Sequence, residues 1–74
     1  MATTDRMKIR FRVKEGPDKG MPVWIMLEPT LGSLPGLGEG FLGLDLRPGT
    51  TFEEAEILAR VLNEGIESVS RTRF

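Results

Sequence analysis

The segment MKIRFRVK, residues 7 to 14, alternates without a break between apolar side chains, Met7, Ile9, Phe11 and Val13, and cations, Lys8, Arg10, Arg12 and Lys14. Successive side chains of an extended strand point to opposite faces, so this spacing predicts a β-strand with one buried side and one charged, wet side. A helix would scatter the same residues around its axis. Whatever else folds must therefore cover one face of this strand and leave five cations, counting Arg6, on the other.

That demand falls on a short chain. Its 74 residues are read as one domain, with residues 1–5 expected to be disordered. A chain of this size buries too little surface to be comfortably stable and commonly relies on a staple. There is no cysteine for a disulfide and no histidine, so carboxylates are the only metal ligands left. Self-association is the remaining device, and the expectation is a homo-oligomer, a dimer. MATTDRMK carries no apolar stretch of signal-peptide length, and the longest apolar run, VWIML at 23 to 27, is far short of a membrane span. The sequence thus predicts a cytoplasmic protein with no membrane partner.

Beyond the first strand, EGPDKG at 15 to 20 reads as a reversing loop, and MPVWIMLE at 21 to 28 as a second strand that closes a hairpin. PTLGSLPGLGEG, 29 to 40, is too rich in glycine and proline for a regular element. Its Leu31, Leu34 and Leu37 recur every third residue, which suggests a loop packed down on something. FLGLDLR, 41 to 47, alternates again, with Leu42, Leu44 and Leu46 on one side and Phe41, Gly43, Asp45 and Arg47 on the other. Pro48-Gly49 signals a type II turn. Thr51 and Glu54 are spaced as a capping box at the start of a helix. Phe52, Ala55, Leu58 or Ala59, Leu62 and Ile66 form its apolar stripe, with an ion pair expected from Glu56 to Arg60. Gly65 either caps that helix or is tolerated inside it. The ending SVSRTRF alternates weakly, so a fourth strand and a loose tail both stay open. The expected fold class is α+β: an antiparallel sheet of three strands, or four if the ending pairs, with one C-terminal helix packed on one face.

Catalytic chemistry finds little support. GEGFLG, 38 to 43, matches the glycine spacing of a dinucleotide loop, but it leads into a strand rather than a helix, so a tight or flexible turn is the better reading. Without His, Cys or Tyr, acid–base work would fall to carboxylates and lysines, and no serine has an evident base. Asp45 beside Arg47 reads as a surface pair. Glu53, Glu54, Glu56, Glu64 and Glu67 read as capping and solvation rather than metal ligands. No enzyme, cofactor or metal is expected.

The cationic face is the arrangement with functional promise. Residues 1–37 hold six Lys and Arg against four acids, and residues 38–74 hold four against seven, so a net charge of -1 conceals +2 against -3. That polarity is weak for a dedicated nucleic-acid binder. Placing Val13 opposite Val23 sets Arg12 against Trp24, Arg10 against Met26 and Lys8 against Glu28, with a cation-π contact and a cross-strand ion pair. A slip by one residue would instead put Trp24 and Met26 in the core. The first register is favoured because it partners the charges. Lys8, Arg10, Arg12, Lys14, Trp24 and Met26 are then the candidate binding or interface residues. They support a non-catalytic interaction protein, expected to be homodimeric, or alternatively a nucleic-acid-binding module.

Overall fold

The computed structural model describes residues 2–15, 23–34, 36–37 and 40–74. Four strands and one helix follow in the order β1 (Thr3–Glu15), β2 (Val23–Pro29), β3 (Leu42–Asp45), α1 (Phe52–Gly65) and β4 (Ser68–Arg73). The antiparallel sheet has the order β3-β2-β1-β4. The fold is α+β with a single helix on one face, as the periodicities predict. The weak alternation of SVSRTRF does form a fourth strand, so the helix is not the last element. Residues 1–5 were expected to be disordered, yet β1 begins at Thr3, and Thr3, Thr4 and Asp5 pair with Arg73, Thr72 and Arg71. The loop read at 15 to 20 lies largely outside the described residues, as do Met21 and Pro22 of the predicted second strand.

β1 is central but changes partner half-way. Thr3 to Lys8 pair with β4, whereas Ile9 to Glu15 pair with β2. The switch is marked by two bonds: the Ile9 N–H donates to the Glu67 carbonyl at 3.1 Å, and the Lys8 carbonyl accepts from Thr30 N–H at 3.1 Å. Odd residues of β1 therefore turn their backbone groups toward β4 and even residues toward β2. In that ladder Pro29, opposite Ile9, has its missing N–H on the side away from β1, and β3 pairs only as far as Leu27.

The inner face holds the core: Ile9, Phe11, Ile25 and Leu27 from the sheet, Ala59 from the helix and Leu34 from the loop. The helix meets the sheet through its smallest apolar residues, Ala55 and Ala59, which allows close approach. The ambiguous stripe position therefore belongs to Ala59, and Leu58 stays largely exposed. The capping box forms as predicted: Thr51 Oγ1 accepts from Glu54 N–H at 3.1 Å, and Glu54 Oε1 accepts from Thr51 N–H at 3.2 Å. Gly65 is the last helical residue rather than a left-handed cap, and Ile66, in extended geometry, gives its N–H to the Leu62 carbonyl at 2.8 Å. Pro48-Gly49 makes the expected turn, with Gly49 at φ 88° and Thr50 N–H donating to the Arg47 carbonyl at 3.2 Å. Of the three loop leucines only Leu34 packs down, at 3% exposure, while Leu31 stands out at 83%. Neither the Glu56 to Arg60 nor the Asp45 to Arg47 pair is among the ion pairs formed by the described residues.

Candidate functional site

The other face of the sheet is covered by no helix or strand among the described residues. It displays Arg6, Lys8, Arg10, Arg12 and Lys14 from β1, Trp24, Met26 and Glu28 from β2, and Gly43 and Asp45 from β3, as the strict alternation of β1 requires. The register differs from the favoured one by two residues. Arg10 lies opposite Glu28, Arg12 opposite Met26 and Lys14 opposite Trp24. A shift of two preserves the face, so Trp24 and Met26 do share it with the cations, but the expected pairs Arg12–Trp24, Arg10–Met26 and Lys8–Glu28 are corrected. Val13 faces Ile25, and these two point to the core side.

Glu28 organises this surface. Arg10 Nε donates to Glu28 Oε1 at 2.6 Å, and Arg12 Nε lies 2.7 Å from the same oxygen, with Arg12 Nη2 donating to Oε2 at 3.2 Å. The Glu28 side chain is only 13% exposed. Its burial alone would raise the carboxyl pKa, but the Arg10 hydrogen bond and the charges of Arg10 and Arg12 outweigh that and hold it below its ordinary value. Two of the five cations are thus committed to one carboxylate. Lys8 approaches Glu67 at 3.8 Å with both side chains in solvent, a contact of little energetic weight. Arg6 Nε donates to Ser70 Oγ at 3.2 Å.

Trp24 leans across Gly43 and stacks on Phe41, with ring centroids 5.6 Å apart and planes 14° apart. A Cβ at position 43 would come within 3.2 Å of the indole, so the glycine makes room for the ring. Gly43 is also the residue directly across from Met26. With the indole over Gly43 and Arg12 on the other side, Met26 is buried at 7% exposure although it lies on the outer face. Met26, one of the expected contact residues, therefore presents little surface there. Phe41 belongs with them, half exposed beside Trp24. Its place on the outer side of strand three is legible from alternation, its stacking is not.

The cationic row, one aromatic stack and a column of β4 hydroxyls can hold an anion or pack against a flat surface. Among the described residues no cluster of three or more acids is placed to hold a metal ion, and no helix is long and apolar enough to cross a membrane. The GEGFLG segment falls partly outside the described residues, at Gly38 and Glu39. The chain matches no protein-family model, no curated protein and no solved structure.

Proposed function

We propose that this chain is a small non-catalytic interaction domain that works as a homodimer in the cytoplasm. The observation that carries the reading is surplus surface. The accessible area is 5728 Å² for 8.2 kDa, whereas a monomer of that mass is expected to show about 4,500 Å². The radius of gyration is 14.0 Å, against about 11 Å for a compact chain of this length. The difference in area is on the order of 1,200 Å² for each chain, more than the roughly 800 Å² that each partner buries in a standard interface. Large apolar side chains share in that surface: on the outward side of the helix, Ile57 is 57% and Val61 58% exposed. Sedimentation at micromolar concentration is expected to give twice the 8.2 kDa chain mass. A monomer with a full cooperative melt at that concentration would remove the reading.

A second reading, single-stranded nucleic acid held on the outer face, draws on the Trp24–Phe41 stack beside Lys14, since bases stack on aromatic rings while cations meet phosphates. The commitment of Arg10 and Arg12 to Glu28 weighs against it. Binding to mixed single-stranded DNA or RNA with a steep salt dependence would favour this second reading.

A further inference from the structure

We infer that a second copy of this chain docks edge to edge on β4, continuing the sheet from four strands to eight across a twofold axis at Ser70. The inference rests on the dimer reading above and specifies its contact. Because the odd residues of β1 face β4, their partners Val69, Arg71 and Arg73 use their backbone groups on β1, and Ser68, Ser70 and Thr72 point theirs outward. This free edge is six residues long and contains neither glycine nor proline. The opposite edge of the sheet, β3, has only four residues. The part of β1 that runs past β4 is closed at Phe11 by the Asn63 side chain.

Cations usually guard such an edge, but both candidates here are occupied on the inner face. Arg73 Nη2 donates to Asp5 Oδ2 at 3.0 Å, and the Arg71 guanidinium lies so close on Gly36 that a side chain there would collide with it. A two-stranded ribbon of β1 and β4 is weak by itself, and a third and fourth strand would support it.

Charge and hydrogen bonding select the register. With the twofold at Ser70, Ser68 of one copy faces Thr72 of the other and Ser70 faces its own counterpart, for about six new backbone bonds. Glu67 then lies opposite Arg73, and Ile66 opposite Phe74, two exposed apolar residues. Moving the axis to Arg71 would set two arginines directly across from each other, like charges in one cross-strand pair. Moving it to Val69 would call on the Ile66 N–H, which Leu62 already holds at 2.8 Å.

Ser70→Pro removes one outward N–H while leaving the ladder to β1 intact, as proline is tolerated where an edge N–H faces solvent. The parent is expected to sediment as a dimer, and Ser70→Pro as a monomer with the same helix and sheet content by circular dichroism. The chain contains no cysteine, so single thiols give a clean second measurement. Ser70→Cys puts two thiols at the axis, with Cα atoms about 5.5 Å apart, and should oxidise to a covalent dimer at least ~10-fold faster than Ser68→Cys. The two Ser68 positions lie on the order of 13 Å apart along the strands. A dimer that survives Ser70→Pro, or equal cross-linking of the two cysteine variants, overturns the β4 contact and leaves the dimer reading standing. Dissociation by Val61→Glu but not by Ser70→Pro would move the contact to the helix and equally overturn it. A monomeric parent overturns both.

Discussion

Among single side chains, Glu28 settles how a row of cations can sit on one strand without repelling itself apart. The alternation of MKIRFRVK fixes which face the charges occupy, but not what lies opposite them. A shift of two residues leaves every side chain on its face, so parity was legible and pairing was not. Pairing places Glu28 between Arg10 and Arg12, where its carboxyl is held below its ordinary value of 4.5. A carboxyl whose folded pKa is depressed contributes stability that is fully present above its unfolded pKa and is lost as pH falls through the folded value. The expected outcome is that parent and Glu28→Gln differ most in urea midpoint at neutral pH and converge on acidification below 4.5. A gap that stays constant down to about pH 3 would mean that the arginines do not stabilise the ionised carboxylate.

The elements were legible where a local rule decides them. The capping box at Thr51, the Pro48-Gly49 turn and the alternation of β1 each depend on neighbours in sequence, and each forms as read. What depends on packing was not legible. Leu58 and Ala59 fit the helix stripe equally well until the helix lies on the sheet, where only alanine allows close approach. Asn63 is the sharpest case, because an asparagine within a helix carries no signal of its own. Once α1 runs along β1, its Oδ1 accepts from Phe11 N–H at 2.8 Å and its Nδ2 donates to the Phe11 carbonyl at 2.9 Å, the two bonds a neighbouring strand would make. Asn63→Ala leaves both backbone groups without these part-buried partners, and is expected to cost about 1 to 2 kcal/mol. Urea unfolding with an unchanged slope and a lower midpoint would show this. An unchanged midpoint would mean that water replaces the amide without loss.

For the whole molecule, the outer face carries the cations of β1, while the helix and its exit carry Glu53, Glu54, Glu56, Glu64 and Glu67 against Arg60. A near-neutral chain is therefore polarised across the sheet, and what the positive side does separates the two functional readings. Replacing Arg10 and Arg12 together by glutamine removes two charges and keeps much of the length. In the dimer reading those charges serve Glu28, so the variant leaves a half-buried carboxylate without its cations, and the cost appears in stability. The melting temperature should fall by about 4 to 8 °C for each kcal/mol lost. Dimer dissociation should change little, because β4 pairs with the other half of β1. Adding Glu28→Gln should recover part of the loss, since no unpaired charge then remains. In the nucleic-acid reading, affinity for every single-stranded sequence falls alike and the salt slope drops by up to about two units, with folding nearly unchanged. A double variant that matches the parent in melting, association and binding would remove the nucleic-acid reading and the stabilising role of Glu28 while leaving a β4 dimer standing, and the cations would then serve only to keep an open sheet face solvated.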